Sequence, residues 1–245
     1  MIAGFARIDI AARDAARAGG AYAAFFGRDP AEAAEGFRLS NLTVRVRPAG
    51  PDEPEGLACI VFAVRDVAAA RRMLDRRGVP TIEDGPEAVV DPGASHGVRL
   101  ALAAAGKDVQ ATPPGDGIAG LDHVVIRTPD PERAIALYGA KLGLDFRLDR
   151  SNPAWGSRLL FFRCGDAVVE IATDPRVPRS DGPDVLNGLA FRAVDPDAAQ
   201  ARLAAAGFDV SEARAGRKPG TRVFTLRSGV VGAPALVIGG QGPDD

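Results

Sequence analysis

Leu121-Asp122-His123-Val124-Val125-Ile126 and Ala167-Val168-Val169-Glu170-Ile171-Ala172 bracket the stretch that decides the fold. The first is a β-branched run carrying one imidazole, and the second is an apolar run carrying one carboxylate. Between them the sequence predicts a helix from Asp130 to about Leu142. Two further strands follow it, over residues 144–150 and 157–163. Together these make a βαβββ unit with His123 in its first strand and Glu170 in its last.

Working outward, the same order recurs along the chain: apolar strand, Asp, amphipathic helix, Gly. The four aspartates are Asp14, Asp66, Asp130 and Asp195, separated by 52 (66 − 14), 64 (130 − 66) and 65 (195 − 130) residues. That is the period of a supersecondary unit. An aspartate can accept hydrogen bonds from the free amides of a first helical turn. Pro131 and Pro196, directly after two of the caps, have no amide to leave unsatisfied. Gly27, Gly78, Gly143 and Gly207 stand where each helix should end. In the third helix Ile135, Tyr138 and Leu142 fall on one face, as packing against a sheet requires. The third and fourth copies match best, and the first is the most eroded.

Residues 106–120 are polar, rich in Gly and Pro and without a period, and read as a linker. The expected organisation is α+β, with four βαβββ modules paired into two curved mixed-sheet domains, residues 1–114 and 115–245. Each domain should form a sheet of about eight strands with helices outside and a concave inner face.

Composition narrows the function. The chain has 245 residues, 46% hydrophobic and 25% charged, with a formal charge of −2. This is the balance of a globular protein with no electrostatic reason to meet nucleic acid or an anionic membrane. No run approaches the roughly eighteen apolar residues that span a bilayer. Met1-Ile2-Ala3-Gly4-Phe5 lacks the features of a signal peptide, so the expected location is cytoplasmic. Cys59 and Cys164, in or beside strand-like runs, read as buried reduced thiols.

The run 121–134, Leu-Asp-His-Val-Val-Ile-Arg-Thr-Pro-Asp-Pro-Glu-Arg-Ala, resembles the vicinal oxygen chelate superfamily: glyoxalase I, extradiol dioxygenases, and fosfomycin and bleomycin resistance proteins. Residues 137–144, 167–171 and 188–199 extend the resemblance, which is clear over about 118–240 and weaker over 1–105. The resemblance implies glyoxalase-like domains in which paired modules supply metal ligands from their first and last strands. Levelling the capping aspartates carries those places onto His123 and Glu170 in the third module. In the fourth they fall on Gly188 and about Val237, in the second on Cys59 and about Leu102, and in the first on Arg7 and about Arg45. One half of a site is kept, and the other departs from the pattern.

The implied function is a metal-dependent isomerase or lyase acting on a small oxygenated, anionic metabolite. A divalent ion (Zn, Fe, Mn, Ni or Mg) would be held by His123 and Glu170, with Glu170 also the candidate catalytic base. Waters, substrate, another module or the second subunit of a homodimer could complete the coordination. The basic loop with Arg217 and Lys218 is a candidate anchor for an acidic group, and Trp155 a candidate cover. Arg158, Phe161 and Arg192 join them on the substrate side. The structural alternatives stay open. Glu170 could pair with Arg127 or Arg192, the basic loop could be a solvated hairpin tip, and His96 reads as a surface residue at the opening of a strand. A metal-free binding protein of the bleomycin-resistance type is the alternative function. A ring-cleaving dioxygenase is a further one, although its ligand set would need a histidine at Gly188. A purely structural or dimerising module is the remaining class.

Overall fold

The computed structural model describes residues 2–106, 117–152, 154, 156–230, 232 and 234–240. Two mixed sheets carry the fold, one from each half of the chain. The first contains β1 (Ile2–Ala12), β2 (Phe37–Arg38), β3 (Thr43–Pro48), β4 (Gly56–Val64), β5 (Thr81–Asp84), β6 (Glu87–Val90) and β7 (Leu100–Ala104). Its order is β2-β3-β1-β4-β7-β6-β5. The second contains β8 (Ile118–Arg127), β9 (Asp145–Asn152), β10 (Ser157–Cys164), β11 (Ala167–Thr173), β12 (Val185–Ala193), β13 (Asp209–Val210), β14 (Arg214–Ala215), β15 (Arg222–Ser228) and β16 (Ala235–Gly239). Here the order is β13-β15-β16-β12-β8-β11-β10-β9, with β14 beside β15. The fold is α+β, as the sequence suggests. The boundary placed at residue 114 lies outside the described residues.

Four helices begin as the sequence predicts. α1 (Ala15–Phe26) is capped by Asp14, α2 (Val67–Arg76) by Asp66, α3 (Pro131–Ala134) by Asp130 and α4 (Pro196–Ala205) by Asp195. Each capping carboxylate accepts at least one amide of the first turn, and Pro131 and Pro196 occupy the first helical position. The glycines that close the four helices all have positive φ, from 67° at Gly27 to 84° at Gly207. The third helix departs from expectation in kind. After Ala134 the coil widens into a π-helix over Ile135–Lys141, and the Leu142 amide bonds back to the Leu137 carbonyl at 2.8 Å. The erosion of the first module also has a definite form. A 3-10 helix, Pro30–Ala34, fills the place of its second strand.

The described residues group into two compact units, neither confined to one half of the chain. One draws on described residues within 2–7, 59–106 and 123–187, and so joins the second and third modules. Within it Phe5 packs on Phe62 and Tyr138 on Phe162. The other draws on described residues within 8–58, 117–122 and 188–240, joining the first and fourth modules. There Phe25 and Phe26 of α1 meet Phe191 with centroids 5.4 and 5.5 Å apart.

Alternation in the third module separates two sheet faces. Val124, Ile126, Leu160, Phe162, Val169 and Ile171 are fully buried on the face that carries α3. His123, Val125, Phe161, Val168, Glu170 and Ala172 point the other way and are half-buried. That second, open face is where the candidate chemistry lies. Both cysteines are buried free thiols. Among the described residues no helix is long and apolar enough to cross a membrane.

Candidate functional site

Parallel pairing of β8 with β11 sets Val168 beside His123, Glu170 beside Val125 and Ala172 beside Arg127. His123 and Glu170 therefore stand on neighbouring strands, one step out of line, and their side chains lean together. His123 Nε2 lies 3.8 Å from Glu170 Oε2, with the two side chains 19% and 17% exposed. The carboxylate meets this imidazole. Half-burial among Val125, Val168 and Phe161 makes an ionised carboxylate costly unless a cation, a proton or a donor accompanies it.

The donors fit part of a divalent ion's sphere. Bonds of about 2.0–2.2 Å from an imidazole nitrogen and a carboxylate oxygen can bridge that gap. Among the described residues no cluster of three or more His, Cys, Asp or Glu is placed to hold a metal. Two protein donors leave most of a coordination sphere to water and ligand oxygens.

Register locates the corresponding places in the other modules. In the fourth, Ala190 faces Leu236 and Phe191 faces Val237. The last-strand place is thus Leu236, not Val237, which is buried on the opposite face. In the second, Val61 faces Ala101, so the place is Ala101 and not Leu102. The sequence estimates were one residue out because strand pairing, not distance from the helix cap, sets the level. Cys59, Val61 and Ala101 form a small apolar cluster there. Arg7, in the first-strand place of the first module, makes a two-pronged pair with Glu87 at 2.6 and 2.9 Å. Arg45 does the same with buried Asp9, both bonds at 2.8 Å. These sites are closed by ion pairs within the protein.

The residues expected on the substrate side separate. Phe161 lies directly opposite Glu170 across β10 and β11. Arg158 is a correction. It sits on the α3-bearing face, where its guanidinium is bound by Asp149 at 2.7 and 3.0 Å and by Glu132 at 2.8 Å. Those bonds hold the Arg158 pKa above its ordinary value and the Asp149 carboxyl below. Arg192 donates Nε and Nη2 to the Leu121 carbonyl, which also accepts from Asn41 Nδ2, so it braces β8. Arg217 and Lys218 lie in the turn between β14 and β15, closed by Thr221 donating to the Lys218 carbonyl. Trp155 lies outside the described residues. His96 lies in a turn ahead of β7, as expected, with φ 56°, and is half-buried and not on the open surface. Burial, then Arg133 and Lys141, lowers its pKa against the opposing charges of Asp184 and Asp130. A cavity of about 460 Å³ near Ile2, Arg65 and Met73 shares no residue with the His123 face.

Three arginines not placed on the substrate side by the sequence reading share that face, among them Arg163, which lies opposite Val168. Arg127 follows His123 by two steps of the strand period, a signal present in the sequence. Arg150 is brought there by the pairing Leu159 with Arg150 across β9 and β10, which only the register reveals.

Residues 122–225 match the family profile of the Glyoxalase/Bleomycin resistance protein/Dioxygenase superfamily. Over this stretch the chain is similar to that superfamily. Among curated protein sequences no relative matches. Solved structures extend the glyoxalase-type fold over the whole chain. A triple mutant of 4-hydroxymandelate synthase from Streptomyces coelicolor superposes with TM-score 0.72 at 15% identity, covering 100% of this chain and 95% of that one. The 2,2',3-trihydroxybiphenyl 1,2-dioxygenase from Sphingomonas wittichii strain RW1 gives 0.67 at 13%, covering 98% and 91%. A halotolerant catechol dioxygenase gives 0.66 at 15%, covering 100% and 89%. At these identities the likeness is one of fold.

Proposed function

We propose that this protein is a metal-dependent enzyme, of isomerase or lyase type, acting on a small oxygenated, anionic metabolite. The observation that carries this reading is the approach of His123 Nε2 to Glu170 Oε2, 3.8 Å apart on the open face. A divalent ion held there would polarise a carbonyl, enol or hydroxyl of the substrate. Glu170 acts as ligand or as the group that takes a proton, and Phe161 supplies an apolar wall beside it. Chemistry like that of the dioxygenase neighbours draws on the fold likeness, but Gly188 and Leu236 offer no donor at the matching places.

A metal-free binder is the second reading, favoured by the lack of a third protein donor among the described residues. Elemental analysis of purified protein separates the two. Stoichiometric divalent metal in the wild type, lost in Glu170→Ala, supports the enzyme. No metal, together with no thermal shift on adding Zn2+, Fe2+, Mn2+, Ni2+ or Mg2+, supports the binder.

A further inference from the structure

Pairing across four strands sets one straight row on the His123 face. Arg127 on β8 faces Ala172 on β11, Ala172 faces Leu159 on β10, and Leu159 faces Arg150 on β9. The neighbouring row is Val125, Glu170, Phe161, Leu148, about 7 Å away, two residues along each strand. An arginine thus stands at each end of an apolar floor, one row from Glu170. Both are exposed, and neither side chain makes a hydrogen bond or ion pair among the described residues. Charges that compete for Arg127 are Glu170, one row away on the same face, and Asp174. Arg127 acts weakly on the latter, but bonds from Arg176 chiefly lower its pKa, to about 2. Arg163, on the row of His123 and Val168, turns its Nε to the Gly165 carbonyl at 3.2 Å. Elsewhere in the chain arginines are commonly neutralised, as at Arg7, Arg45, Arg47, Arg158 and Arg222.

We propose that Arg127 and Arg150 form an anion clamp, holding the carboxylate or phosphate of a ligand whose apolar body lies over Leu159, Phe161 and Leu148. This rests on the reading that the His123–Glu170 face is the ligand site, and it places the acidic group away from Arg217 and Lys218. The guanidinium fork matches either oxyanion and stays charged at any working pH. Leu148, 48% exposed on the edge strand, is the kind of uncovered apolar surface that a ring or alkyl chain would bury. The body of a ligand so held lies on the row of Glu170 and one row short of His123, so that a substituent oxygen reaches the pair.

Calorimetric titration of the full chain with benzoate, phenyl phosphate and neutral benzyl alcohol tests this. Arg127→Gln and Arg150→Gln should each weaken the better anionic probe by about tenfold. The double variant should lose less than the product of the two losses, because both side chains hold one group. Benzyl alcohol should bind the wild type and variants alike, and preference between benzoate and phenyl phosphate identifies the oxyanion. Failure of the wild type to bind either anion, unchanged affinity in both variants, or loss confined to Arg217→Gln and Lys218→Gln would overturn the clamp. Because both residues are exposed and unpaired, thermal unfolding should be unchanged. The outcomes separate from those of the metal test: anion affinity without metal uptake sinks the enzyme reading and leaves the clamp standing.

Discussion

The Asp184 carboxylate, with no exposed side-chain surface, accepts the Thr128 hydroxyl at 2.6 Å and the Arg133 guanidinium at 2.7 Å. The bonds tie the end of β8 and the first turn of α3 to the loop leading into β12. The same residue's amide donates to the His96 carbonyl. Removing the carboxylate leaves half-buried Arg133 with the Gly182 carbonyl alone and the Thr128 hydroxyl without that acceptor, so Asp184→Ala should cost about 3 kcal/mol in urea unfolding. Thr128→Val removes one bond and should cost about 1–3 kcal/mol. Equal losses in both would contradict this assignment.

A second prediction concerns acid. The His96 pKa is lowered, first by burial and then by Arg133 and Lys141. The folded state therefore holds fewer protons at this site than the unfolded chain does. The stability it contributes is full above the unfolded pKa, about 6.5, and is lost as pH falls through the folded value. His96→Asn, which tolerates the positive φ, should flatten the fall of melting temperature between pH 7 and 5. A parallel slope in the two proteins would reject it.

Gly120 has a steric duty. A Cβ there would meet Ser40 Oγ at 2.5 Å and Asn41 Oδ1 at 2.9 Å. Asn41 cannot swing aside freely, because its amide brackets Leu121 with bonds of 2.8 and 2.9 Å. Gly120→Ala should therefore cost about 1–3 kcal/mol, and Gly120→Ala with Asn41→Ala should show a non-additive loss.

Arg158 should behave as a brace. Its partners Asp149 and Glu132 are 38% and 48% exposed, so Arg158→Gln should cost no more than about 1 kcal/mol. Binding of benzoate or phenyl phosphate should not change. A clear loss of probe affinity would return Arg158 to the ligand face.

Much of this was written locally. Asp14, Asp66, Asp130 and Asp195 announce four helices because a cap acts on amides two or three residues away. His123 and Glu170 were legible as a pair because strand alternation is local and their levels follow from one repeat. What the sequence hid was register and pairing between distant segments. Leu236 instead of Val237, Arg158 on the face opposite His123 and Arg150 on the same face all depend on which residue lies opposite which. The π-helical turn at 135–141 carries no comparably local signature. The assortment of modules into compact units depends on contacts such as Phe25 with Phe191, 166 positions apart (191 − 25).

That assortment has a practical corollary. Since every unit borrows from before and after residue 115, the two halves produced as separate polypeptides would each uncover apolar surface meant for the other, Phe191 among it. Mixed together, they should recover native-like order by fragment complementation, and the stoichiometry of that rescue should be one to one.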